Sequence, residues 1–100
     1  MDWNYFGRDL GGLRRKQGLL QKDVAYRSGF TASYITALER GRRPPPPVEA
    51  LKKILKAIGV TEVEEAFLIR ASKLTEIGRV MANYSADFPG AVAAMSLLEM

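Results

Sequence analysis

The sequence has no cysteine and no histidine. Those two absences exclude disulfides, thiol nucleophiles and the usual zinc ligands, and would leave any metal site to carboxylates alone. No apolar run approaches the roughly 20 residues that a membrane-spanning helix needs. There is no basic stretch followed by an apolar run near Asp2, so the expectation is a cytoplasmic protein without a membrane association. Prolines number only five, and four of them are consecutive, Pro44 to Pro47. Gly-rich phosphate loops are missing, and the carboxylates are scattered among positions that read as solvated, so nothing points to an enzyme or to a cofactor. Acids are also the scarcer charge, 11 against 15 Lys and Arg in 100 residues.

That imbalance is unevenly distributed. Residues 1–60 hold twelve Lys and Arg against five acids, and residues 61–100 hold three against six. A basic part followed by an acidic one suits a head that binds a polyanion and a tail with another task. One hundred residues suffice for one domain with a modest core, or a small domain and an extension.

The chain is organised around Gln21 to Arg40. Val24, Ala25 and Ser28 fall on one helical face and Ile35 and Leu38 on another, so two short helices meet across a tight connection. Gly29 can take the left-handed conformation that ends the first, and the Thr31 hydroxyl can cap the second. Ala25 is small enough for a close helix crossing. On the outer face of the second helix lie Ala32, Ser33, Tyr34, Thr36, Ala37 and Arg40, which its core stripe does not require.

The run Leu10, Leu13, Arg14, Gly18, Leu19, Leu20, Gln21, Val24, Ala25, Ser28, Gly29, Phe30, Thr31, Tyr34, Ile35, Leu38, Glu39, Arg40, Gly41, Arg42 resembles the phage-repressor (Cro and C1-type, or XRE) helix-turn-helix family. The resemblance covers about Phe6 to Val60. It implies an all-α, lambda-repressor-like bundle of four to five helices, with two to three further helices after it, and binding to double-stranded DNA. One position departs from the family pattern. Leu20 stands where a Ser or Thr usually precedes the Gln, so the helix start should lack about 1 kcal/mol of capping unless another group satisfies its amides. The resemblance also implies that Arg14 pairs with Glu39, and that Gln21 contacts a phosphate at a helix N-terminus, where amides and dipole favour an anion.

In chain order, the first helix is expected from about Asn4 to Gln17, buried along Phe6, Leu10 and Leu13 and stopped at Gly18. The third helix, about Thr31 to Arg40, is the candidate for the major groove. Its groove-facing set is Thr31, Ala32, Ser33, Thr36 and Ala37, with Tyr34 at the edge as a packing or phosphate-contacting residue. No central Gln, Asn or Arg is present for bidentate base contacts, so shape and van der Waals fit should carry part of the readout. Phosphate contacts are assigned to Gln21, Lys22, Arg40, Arg42 and Arg43. The four prolines form a stiff spacer, and Pro47 is expected in the first turn of a fourth helix with the stripe Val48, Leu51, Ile54, Leu55 and Ile58, ended by Gly59.

Residues 1–60 thus read as the DNA-binding domain and 61–100 as a helical extension. Thr61 and Glu64 have capping-box spacing, opening a helix with Val63, Ala66, Phe67 and Arg70 along it. A second helix is expected from about Leu74 to Asn83, with Ile77, Val80, Met81 and Tyr84 as its stripe. A third starts near Asp87 and carries Val92, Met95 and Leu98. Surplus apolar surface there suggests homodimerisation; the resemblance implies a two-fold dimer on an inverted-repeat operator, and a repressor. The alternative is an antitoxin or partner-controlled regulator whose C-terminal helices bind another protein.

Overall fold

The computed structural model describes residues 3–87, with side chains through Leu74. Among them are five helices and no strand: α1 (Asn4–Lys16), α2 (Gln21–Ser28), α3 (Ala32–Glu39), α4 (Val48–Ile58) and α5 (Glu62–Asp87). Helix α2 packs on α3 and α4, α1 packs on α3 and α5, and α4 also touches α5. The core they share is Phe6, Leu10, Val24, Ala25, Ile35, Leu38, Leu51, Ile54, Leu55, Ala57, Ile58 and Leu68, with Leu13, Leu19, Phe30 and Tyr34 packed at its margin. The all-α class and the four head helices are those the periodicity predicts.

The turn between α2 and α3 closes as the sequence implies. Gly29 has φ 81°, a region costly for any residue with a Cβ, and its N–H bonds to Ala25 O at 3.0 Å. Thr31 Oγ1 then accepts the Tyr34 N–H at 3.1 Å, capping α3. At the start of α2 the missing hydroxyl is answered by half a capping box. Asp23 Oδ2 accepts the Leu20 N–H at 2.8 Å, while the Leu20 side chain can accept nothing in return.

Helix α1 lies close over the C-terminal end of α3 because two glycines face it. A Cβ on Gly7 would stand 2.5 Å from the carbonyl oxygens of both Leu38 and Glu39, and one on Gly11 would stand 2.9 Å from the Glu39 carboxylate. Just beyond that same end, Gly41 (φ 70°) turns the chain directly against Asn4 at the start of α1. Thus the C-terminal end of α3 is held by a second helix and not only by its partner in the motif.

Two expectations need correction. Pro47 does not lie in the first turn of α4; it precedes it as the N-cap, with ψ 154°, completing an extended proline run in which Pro46 is buried. The helices expected around 61–73 and 74–83 are one continuous helix, α5, of 26 residues. Nothing between them can stop a helix: Ala71, Ser72, Lys73 and Leu74 continue it, and a lone Gly78 costs only about 1 kcal/mol. The sequence leaves open which face of α5 is buried. Val63 and Phe67 are 79% and 61% exposed, whereas Leu68 is wholly buried in the core of α1–α4 and Ser72 is buried beside it. Gly59 and Thr61 turn the chain where the charge balance changes, but the core crosses that boundary. The helix expected from Asp87 onward, with Val92 and Met95, lies outside the described residues.

Reciprocal bonds fix the start of α5, Glu64 N–H to Thr61 Oγ1 at 3.1 Å and Thr61 N–H to Glu64 Oε1 at 2.9 Å. Lys16 Nζ of α1 reaches Glu64 Oε2 at 2.7 Å. Its hydrogen bond to Lys16, then that to the Thr61 backbone, hold the Glu64 carboxyl below its ordinary value. Among the described residues, no helix is long and apolar enough to cross a membrane.

Candidate nucleic-acid interface

Exposed on α3 and its cap are Thr31, Ala32 and Ser33, with Arg40 exposed at its C-terminal end; Ala37 is half-buried. Arg42 and Arg43 follow in the exposed turn, and Lys22 is exposed near the start of α2. The structure therefore brings most of the predicted contact residues onto one helix and its two flanks. The helix presents methyl and hydroxyl groups and one long donor. This suits thymine methyls and permissive hydrogen bonds, but offers no bidentate fork along its middle.

Tyr34 is half-buried, its ring 5.3 Å from that of Phe30 and tilted by 37°. Burial pushes its phenol up, and the nearby Arg43 charge opposes the rise, placing that cation beside the α3 edge. Packing is thus its observed role.

Two of the predicted residues are engaged inside the protein. Arg14 donates from Nε to Glu39 Oε2 at 2.7 Å and from Nη2 to Oε1 at 3.0 Å, the paired arrangement that the resemblance implies. Its Nη1 donates to Leu19 O at 2.7 Å. The pair is largely enclosed, with side-chain exposures of 11% and 7%. Glu39 raises the Arg14 pKa through that hydrogen bond, with burial acting in the opposite direction. Gln21 Nε2 donates to the same carboxylate at 3.2 Å, and Gln21 Oε1 accepts the Thr36 hydroxyl at 2.6 Å. A continuous chain of hydrogen bonds therefore runs from α1 through the end of α3 to the first residue of α2 and back to the middle of α3. Neither the Gln21 bond to Glu39 nor the half-burial of Thr36 follows from helical periodicity. The spacing of Gln21, Thr36 and Glu39 was visible, but three polar residues on adjoining helices also fit a solvated edge. Arg27, near α2's other end, donates to Ala57 O at 3.3 Å and so lies over α4.

The comparisons with known proteins agree with this architecture. The family described as "Helix-turn-helix domain" matches residues 6–68. An uncharacterised HTH-type transcriptional regulator of Sinorhizobium fredii is 45% identical over 58 residues, 58% of this chain and 74% of that protein. The HTH-type transcriptional repressor RghR of Bacillus subtilis is 29% identical over 79 residues, 79% of this chain and 57% of its own length. Among solved structures, the restriction-modification controller protein C.AhdI of Aeromonas hydrophila aligns with TM-score 0.57 and 32% identity, over 63% of this chain and 90% of that one. The match to residues 6–68 ends at Leu68, the last residue of the observed core. The chain belongs to the Cro/C1-type (XRE) family of helix-turn-helix, DNA-binding transcriptional regulators.

Proposed function

We propose that this regulator is a cytoplasmic repressor that binds an inverted-repeat operator as a homodimer, with α3 in the major groove. The observation that carries the reading is the α3 surface, small and hydrogen-bonding, with Arg40, Arg42 and Arg43 exposed beyond its end. Those cations, Lys22 and the amide-rich start of α2 at Gln21 would hold phosphates and set the register. Thr31, Ala32, Ser33 and Ala37 would meet base edges, and occupancy of the operator would exclude polymerase. One of the curated relatives is a repressor by name.

Support for a dimer comes from α5. Exposed Val63, Phe67 and Leu74 recur at helical spacing on one side of it, and in sequence Ile77, Met81 and Tyr84 continue the three-and-four alternation of a helix–helix seam. A second copy of the chain would cover that seam and place two α3 helices about one DNA turn apart.

A selection of binding sites from a random duplex library, using this chain at near-physiological salt, tests the reading. Enrichment of an inverted repeat is the expected outcome. Weak binding indifferent to sequence would overturn it, and attention would pass to a protein partner held by residues 61–100.

A further inference from the structure

The hydroxyl proton of Thr36 is already directed inward, to Gln21 Oε1 at 2.6 Å. A carboxylate can only accept, so Glu39, held by Arg14, requires that the Gln21 amide nitrogen face it; the amide oxygen is then left for Thr36. The Gln21 carboxamide is thereby fixed in position and in orientation by two partners from α3. One Nε2 hydrogen remains beyond the bond to Glu39. It belongs to the first residue of α2, beside the Gln21 and Lys22 backbone amides, which, as at any helix start, have no acceptor within the helix; the Asp23 N–H is taken by Leu20 O at 3.0 Å. An acceptor anion such as a backbone phosphate fits that combination.

We propose that Thr36 is a positioning residue for Gln21 and not a reader of bases, so that its hydroxyl tunes overall DNA affinity while leaving sequence preference to Thr31, Ala32, Ser33 and Ala37. The proposal rests on the DNA-binding reading above. A glutamine side chain with three free torsions loses much rotamer freedom when it grips a phosphate, and a partner that orders it beforehand removes part of that cost. Serine could replace Thr36 in this task, because it keeps the donor; alanine could not.

The test compares the full chain with Thr36→Ala, Thr36→Ser, Gln21→Ala and the Thr36→Ala/Gln21→Ala double variant. Affinity is measured on a panel of duplexes over a salt series, and the Gln21 side-chain amide is followed by NMR without DNA. Thr36→Ala should weaken every duplex alike, by about five- to tenfold, and leave the log–log salt slope unchanged, because Gln21 is neutral and its contact releases no counterion. Thr36→Ser should restore the affinity, and the double variant should be no worse than Gln21→Ala. In the free protein, the Gln21 amide should become mobile in Thr36→Ala and ordered again in Thr36→Ser. A changed preference at one base pair, with the other duplexes bound as before, would overturn the proposal. So would an unchanged Gln21 amide, a result that stands apart from any failure of the parent chain to bind DNA, which would sink the regulator reading instead.

Discussion

At the scale of single residues, the helix proposed to face DNA is set by groups on other faces. Gly7 permits α1 to lie against the last carbonyls of α3, because a Cβ there would stand 2.5 Å from two backbone oxygens that cannot rotate aside. Gly7→Ala should therefore cost about 1–3 kcal/mol by overpacking, read as a lower urea midpoint with an unchanged slope. Glu39 is the second such group. Its carboxylate accepts from Arg14 and Gln21, and removing it would leave a guanidinium largely enclosed without its partner. Glu39→Ala should destabilise by about 3 kcal/mol, whereas replacing Arg14 and Glu39 together by apolar residues of similar volume should cost much less. Equal losses from the single and the paired replacement, measured by denaturant unfolding, would contradict this account.

At the scale of elements, Leu20 offers a gain. The N-cap backbone is extended there, Asp23 already holds the Leu20 N–H, and only the side-chain acceptor is missing. Leu20→Ser should complete the box and raise stability by about 0.5–1 kcal/mol, seen as a higher melting temperature. This case also shows what could be read in advance. The four head helices, the Gly29 turn, the Thr31 cap and the Thr61–Glu64 box are local signals, each decided within one element of chain, and each was legible. The Arg14–Glu39 pair was legible only through the resemblance, being 25 residues apart. Gly7 and Gly11, four apart, were a visible small-residue patch, but such spacing does not say which helix it admits. The burial of Leu68 was not legible because Val63, Phe67 and Arg70 form as good a stripe as Leu68 and Ser72. Periodicity finds an apolar face; it cannot tell which of two faces has the head beneath it. The exposed set on α3 was named from the sequence, but the inward turn of the Thr36 hydroxyl depends on Gln21 from the neighbouring helix.

At the scale of the whole molecule, the question is how firmly α5 is docked, since the proposed dimer uses its opposite face. Leu68 supplies the apolar anchor, and the Lys16–Glu64 bridge with the Thr61 cap fixes the first turn. Because Glu64 has a lower pKa in the folded chain than its ordinary value of 4.5, its contribution is complete at neutral pH. That contribution is lost as pH falls from about 4.5 through the folded value, as the unfolded chain takes up the proton first. Glu64→Gln should abolish that part of the acid dependence and leave core packing unchanged. The outward face makes the complementary prediction. Phe67 is 61% exposed and outside the core, so Phe67→Glu should leave the monomer's unfolding slope and helix content intact. If a second copy covers Phe67, a charge there must be buried or the seam must part, and a buried unpaired charge costs several kcal/mol. Sedimentation should then show a dimer for the parent chain and a monomer for Phe67→Glu. The variant should also lose affinity for a full inverted repeat far more than for a half-site, because only the full site requires two linked α3 helices. Equal losses on both sites with an unchanged sedimentation coefficient would place the assembly surface elsewhere.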